Sequence, residues 1–192
     1  QGTLYDRGGG LIYDDALHIT WLKDANYAAT QYATTGGAEG DADGRMNWGA
    51  ANAWAAGLSY FDSERNVTWS GWRLPSVNSL GASFAYGFSN NGTTDYSYGN
   101  TSPNSEMAYM YYVNLLNLGY CTPDNGNPTS CTEQHGWGLA NTGPFDNLQS
   151  YAYWSGTAYA LSPTNIAWLF LTFDGSQGLY YHYGEFYTWA VR

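Results

Sequence analysis

The chain has 192 residues, enough for one domain with a sizeable core, and carries six Lys and Arg against sixteen Asp and Glu for a formal net charge of −10. That balance argues against nucleic acid as a partner, because a phosphate backbone is bound through clustered Lys and Arg. Aromatic residues reach 18% while only 11% of residues are charged, so solubility rests on Asn, Ser, Thr and Tyr, as suits an extracellular protein.

No apolar run approaches the ~20 residues that a membrane-spanning helix needs. The chain opens at Gln1, with no Met, and is read as a mature exported form whose signal peptide has been removed. Residues 1–10, "QGTLYDRGGG", read as a flexible or strand-like arm ahead of one domain over residues 11–192. "LIYDDALHITWL" is two short apolar runs around Asp14 and Asp15, a hairpin pattern. In "NWGAANAWAAGL", Asn47 is placed to cap a short helix with Ala50, Ala51, Trp54 and Leu58 at helical spacing.

A Gly, Asn and Ser-rich stretch follows, with a helical turn expected from Ser76. "SEMAYMYYVNLLNLG" predicts a second helix capped by Ser105, with Met107, Met110, Tyr111 and Leu118 on one side and Gly119 as its end. A long loop over residues 120–149 holds Cys121 and Cys131, which bracket the turn-forming "TPDNGNPTS" and read as a short disulfide in an exported protein. "YAYWSGTA", "IAWLFLTF", "GLYYHY" and "FYTWAVR" then predict strands. Helices early and strands late make the class α+β: two helices packed on antiparallel sheet, long loops, and the chain termini paired in the sheet.

Among the few cations, Arg73 has unusual neighbours, with Trp72 before it and Leu74 and Pro75 after it. Its stem is expected among apolar groups and its guanidinium on buried carbonyls or a carboxylate, stapling loops together. A ligand carboxylate or sulfate is the alternative partner. In "EGDADGRMNW", Glu39, Asp41 and Asp43 have the alternating spacing of a calcium loop, and Gly44 would permit its turn. The position for a closing bidentate Glu holds Ala50, so an acidic turn capping the next helix is the other reading.

There is no G-x-S-x-G, no H-E-x-x-H and no phosphate-cradling loop. His18, His135 and His182 stand far apart in the sequence, and pairs such as Asp174 and Glu185 arise by chance in an acidic chain. "GLYYHYGEFYTW" cannot hide every ring on one side of a strand, so some Tyr must face outward, suited to stacking on sugar rings or on protein.

"GLIYDDALHITWLKDANYA", "DADGRMNWGAANAWAAGL", "GWRLPSVNSL", "YWSGT", "AWLFLTFDG" and the terminal "WAVR", in this order over nearly the whole chain, resemble the Lcl C-terminal domain family of bacteria. The "DADGRMNW" form is similar to exported members that carry a PEP-CTERM sorting tail. The resemblance implies a C-type-lectin-like fold, shared with formylglycine-generating enzymes, with two helices, a sheet joining both termini and a long loop region used for recognition. Two features depart from these patterns. Trp189 and Ala190 stand where family members often place a cysteine, and the E-P-N and Q-P-D sugar triplets are missing.

That family is largely undefined in function; the leading reading of this chain is a non-catalytic exported surface or matrix protein acting in adhesion or recognition, with a glycan or matrix polymer as ligand. The recognition surface is expected around Tyr120, Trp137, Tyr151, Tyr153 and Tyr159, and Ca2+ is the one cofactor considered. The alternative is a structural subunit of an extracellular filament or surface layer, in which the arm adds a strand to a neighbouring copy. An enzyme related to the formylglycine-generating fold stands third.

Overall fold

The computed structural model describes residues 2–80 and 83–192. Its first unit is an antiparallel meander of β1 (Leu4–Asp6), β2 (Leu11–Asp14) and β3 (Ile19–Leu22). The segment read as an arm is therefore partly built into the domain, since Leu4, Tyr5 and Asp6 pair with Asp14, Tyr13 and Ile12. Its three glycines form the β1–β2 turn. At Gly10, with φ +78°, a Cβ would run into the Tyr60 hydroxyl, so close packing rather than looseness calls for glycine there.

Next come α1 (Tyr27–Thr34), which the sequence reading passed over, β4 (Arg45–Met46) and α2 (Trp48–Gly57). The Asn47 side chain accepts from the Ala50 amide at 2.9 Å, the predicted N-cap, a contact worth about 1 kcal/mol. Gln31 joins the two helices, accepting from the Trp54 indole at 2.9 Å. A hairpin of β5 (Tyr60–Asp62) and β6 (Val67–Trp69) follows, then the parallel pair β7 (Phe88–Ser89) and β8 (Tyr96–Ser97).

The second predicted helix is real but much shorter. α3 (Glu106–Tyr109) runs into a single π-helical stretch, Met110–Asn114. Ser105 does not cap it with its side chain; its hydroxyl instead accepts from the Asn100 amide at 3.1 Å. Leu118 is exposed and does not share the buried face of Met107, Met110 and Tyr111. Ser76 begins no helical turn, because Val77 next to it forms a β-bridge with Ser105.

The loop over residues 120–149 contains a hairpin, β9 (Cys121–Asp124) and β10 (Asn127–Glu133), closed by the Cys121–Cys131 disulfide. The last strands are β11 (Ala152–Ala158), β12 (Ile166–Leu171), β13 (Ser176–Tyr181) and β14 (Phe186–Tyr187). They form the centre of a seven-stranded sheet, ordered β4-β14-β11-β12-β13-β8-β7. The class is α+β, mostly sheet with short helices.

The C-terminal segment pairs with β3 of the meander, while among the described residues the N-terminal strand β1 pairs only with β2. Val191 bridges Trp21 on one side and Arg73 on the other, so "WAVR" lies between β3 and the "WRLP" segment. Strand alternation then explains the placing of Arg73: Trp72 and Leu74 turn inward and are buried, as is Pro75, while Arg73 between them turns outward. Its side chain is 45% exposed rather than enclosed by its apolar neighbours.

The same alternation splits the large sheet. Tyr153, Phe170 and Tyr187 face a cluster with Trp21, Met107, Met110, Tyr111 and Trp189. Ala152, Trp154, Ala167 and Leu169 face Ala51 and Ala55 of α2, whose small side chains let the helix lie close. β12 is buried on both faces from Ala167 to Phe170, as its unbroken apolar run predicts.

Candidate functional site: an aromatic trough on the open half of the sheet

α2 packs over β4 and β11, and the face it covers continues across β12, β13, β8 and β7. There the sheet is open and forms a groove of about 380 Å³. Register decides what points into it. Leu169 pairs with Gly178 and Leu171 with Ser176, giving an apolar floor with a glycine at its middle. Gln177 pairs with Ser97, so both turn to the far face and leave Tyr96 and Tyr98 on the open one. Ser89 pairs with Ser97, and Phe88 joins them by the same rule.

The walls are thus Phe88, Tyr96 and Tyr98 on one side and Tyr151, Tyr180 and Phe186 on the other. Phe88 stacks edge-on to both Tyr96 and Tyr98, and Tyr180 lies edge-on to Phe186 with centroids 5.0 Å apart. The Tyr98 hydroxyl donates to Asp174 at 3.3 Å. Burial, and then the Asp174 carboxylate, push the Tyr98 phenol well above its ordinary range and keep it a donor. Among the described residues no Asp, Glu, Lys, Arg or His lines the trough. It offers ring faces, hydroxyl tips and an apolar floor, the equipment of a binding groove for an uncharged ligand.

Of the five residues expected to form a recognition surface, Tyr151 lies in this trough. Tyr120 and Trp137 pack against each other at 5.0 Å, and Tyr120 reaches Tyr98 at 6.3 Å, so they extend the aromatic strip beyond one wall. Tyr153 is not a surface residue at all. It is 0% exposed, in the core, where its hydroxyl accepts from the Gln149 amide. Tyr159 stands elsewhere, against Tyr86 and Trp168.

Phe88, Tyr96 and Tyr98 escaped the sequence reading because they sit in the irregular Gly-rich middle of the chain. The alternation in "YSY" was their only signal. The outward Tyr of "GLYYHYGEFYTW" were legible, and Tyr180, Tyr181 and Tyr183 are all exposed.

Each carboxylate of the acidic turn has a protein partner, and those of Asp41 and Asp43 also lie close enough to interact. Glu39 accepts from Gln31 at 2.9 Å, Asp41 accepts from the amides of Asp43 and Gly44 at 3.1 Å each, and Asp43 holds Arg45 at 2.9 and 2.7 Å. Gly44 has φ +82°, and a Cβ there would strike the Asn26 side chain. Among the described residues no three His, Cys, Asp or Glu side chains converge as a metal site. This geometry is that of a self-satisfied turn.

Arg73 is engaged too. Its Nη1 and Nη2 donate to Oε2 and Oε1 of Glu106, each at 2.8 Å, and Nη1 also donates to the Leu74 carbonyl at 3.1 Å. Glu106 Oε2 further accepts from the Ser76 amide at 2.7 Å, so the pair staples "WRLP" to α3. The three histidines lie in different settings: His182 stacks on Trp48 at 4.1 Å, His18 sits in the β2–β3 turn and His135 is exposed.

Among the described residues no helix is long and apolar enough to cross a membrane. Compared with known proteins, the chain matches no family model, no curated protein and no solved structure.

Proposed function

We propose that this chain is a non-catalytic recognition domain of an exported surface or matrix protein, of the C-type-lectin-like class, and that it takes a neutral glycan or matrix polymer along the aromatic trough. The observation that carries the reading is the trough itself: six rings around an apolar floor, with no charged group in its lining. Such rings stack on the apolar faces of sugars, and their hydroxyl tips meet sugar hydroxyls. The net charge of −10 disfavours polyanionic polymers over the general surface and leaves neutral ones. Pairing of the C-terminal segment with β3 and the motif order support the lectin-like class. The disulfide accords with an oxidising exterior.

Isothermal titration against a panel of soluble neutral polysaccharides tests it, with Gly178→Phe as the blocking variant. Gly178 needs no positive φ, and a Cβ there would meet Leu169 and Leu171 at ordinary contact distances of 3.6 and 3.7 Å, so a ring can be planted on the floor. Binding abolished by this change supports the proposal. Binding that ignores it, or no binding across the panel, sinks it.

The filament reading would fill the same trough with a second copy of the chain, since Phe88, Tyr96, Tyr151 and Tyr180 remain exposed in the single chain. The pairing of Leu4–Asp6 with its own β2 leaves less of the arm to donate to a neighbour. Light scattering of wild type and Gly178→Phe separates the two: polymers that dissolve on substitution favour self-assembly, and monomers in both remove it.

A further inference from the structure

The six cations of this chain are not spread evenly. Lys23, Arg45, Arg65 and Arg73 are each paired with one carboxylate, on Asp6, Asp43, Asp62 and Glu106. Among the described residues Arg7 and Arg192 are paired with none, and both line a single pocket together with Arg65. In a chain of net charge −10, half of all the Lys and Arg therefore meet in one place.

Four separate stretches of chain build it. The outer face of the meander supplies Leu11, Tyr13 and Thr20, the β5–β6 hairpin supplies Arg65 and Trp69, and Trp72 and Arg192 close it. The pocket encloses about 200 Å³, and among the described residues none that lines it is acidic. Asp62 lies behind it, wholly buried, held by Arg65 at 2.8 Å and by the Trp69 indole at 3.1 Å. It therefore offsets Arg65, and Glu64 packs over the Gly8–Gly9 turn outside the pocket lining, which leaves Arg7 and Arg192 as the cations facing a ligand.

Although all three arginines are exposed, two of them lie against rings. The Arg7 guanidinium lies 5.1 Å from the Tyr13 ring centre and 5.7 Å from that of Tyr5, and Arg192 lies 4.7 Å over Trp69. Arg65 also donates to the Arg7 carbonyl at 2.6 Å, and Arg192 Nε donates to the Ser70 carbonyl at 2.7 Å, so two of the three forks are anchored in place. Planar guanidinium forks suit a carboxylate, and indole and phenol faces suit a sugar ring.

We propose that this pocket is a second binding site, separate from the trough, for a carboxylate borne on a sugar ring, a hexuronate unit free or at the end of a glycan. The carboxylate sits among Arg7, Arg65 and Arg192, and the sugar ring lies in the pocket against what Arg192 and Arg7 leave open of Trp69 and Tyr13. The site is independent of what the trough binds.

The probe is sodium glucuronate titrated into the whole chain, followed on the indole N–H signals of Trp69 and Trp72 by two-dimensional NMR, with glucose and inorganic sulfate as comparison ligands. Neither indole belongs to the trough, so the two sites report separately. Glucuronate should shift both signals saturably and more weakly as salt rises, while glucose should not. Arg7→Gln should weaken binding about tenfold, the loss expected for one charge-assisted contact, and Arg45→Gln, outside the pocket, should leave it unchanged. If Arg7→Gln fails to fold, Arg192→Gln takes its place with the same expectation. No saturable shift, equal shifts with glucose, or unaltered affinity in the pocket variant overturns the site. Sulfate bound as tightly as glucuronate overturns the ring-bearing ligand.

Discussion

Arg73 and Glu106, 33 positions apart, form a two-pronged ion pair with both N···O distances at 2.8 Å. The fork that might have clamped a ligand is already taken by the chain itself. Its partner Glu106 is buried, while Arg73 is partly exposed. Breaking one side of a fully buried pair costs about 3–5 kcal/mol, but water screens Arg73, which brings the loss for Arg73→Ala to about 1–2 kcal/mol. Arg73→Lys should recover only part of it, because an ammonium cannot reproduce the parallel fork. Urea denaturation midpoints of the two variants check both statements.

In the trough, Tyr96→Ala and Tyr180→Ala each remove an exposed ring, and should lower affinity for a neutral polysaccharide about tenfold while changing stability little. Tyr153→Ala should do the reverse. It opens a cavity in the core and costs about 3–5 kcal/mol, as large aromatic truncations do. Thermal melts read beside titrations separate the two kinds of residue.

The β9–β10 hairpin supports one wall of the trough, because the Asn90 amide donates to the Pro128 carbonyl at 3.1 Å and the Asn90 side chain to the Ser130 carbonyl at 2.8 Å, two residues beyond Phe88. The Cys121–Cys131 bridge cross-links that hairpin. Replacing both cysteines by Ser should cost about 2–3 kcal/mol by freeing the unfolded chain. Ligand affinity should also fall several-fold as the Phe88 wall loosens. Titration with and without a reducing agent measures the second effect on the unsubstituted protein.

Asp62 and Asp14 should give the protein's stability opposite pH dependences. Burial opposes the charge on Asp62, but the Arg65 side chain, the Trp69 indole and the Arg65 amide outweigh it and hold the pKa below the ordinary carboxylate value. Its contribution is therefore present above about pH 4 and lost as pH falls through the depressed value. For Asp14 burial wins over the amides of Leu17 and Ala16 and the Asn114 side chain, and the pKa is raised. Its contribution is full below about pH 4 and lost as pH rises through the raised value. The stability gap between wild type and Asp62→Asn should narrow on acidification, and that for Asp14→Asn should shift the other way. Denaturation curves from pH 3 to pH 7 distinguish the slopes.

The turn holding Glu39, Asp41 and Asp43 should keep its form without calcium, since each carboxylate already has protein donors. A melting temperature that is the same in calcium and in a chelator is the expected result; a rise with calcium would place an ion there.

Local chemistry made much of this protein legible as sequence. The cap at Asn47, the turn-forming stretch between the cysteines, the two-sided burial of "IAWLFLTF" and the outward Tyr of β13 follow from rules that reach only a few residues along the chain. The second helix stopped early because tertiary bonds compete for its ends, with Ser105 drawn to Asn100 and Asn117 accepting from the Ala140 and Asn141 amides. Both candidate sites were settled by tertiary structure. The trough exists because register sends Tyr96 and Tyr98 to the face where Gly178 leaves room, and the arginine pocket because residues 7, 65 and 192 meet through separate strand pairings. Sequence spacing carries the period of a strand; which faces and which distant cations end up together depends on long-range pairing that no local pattern encodes.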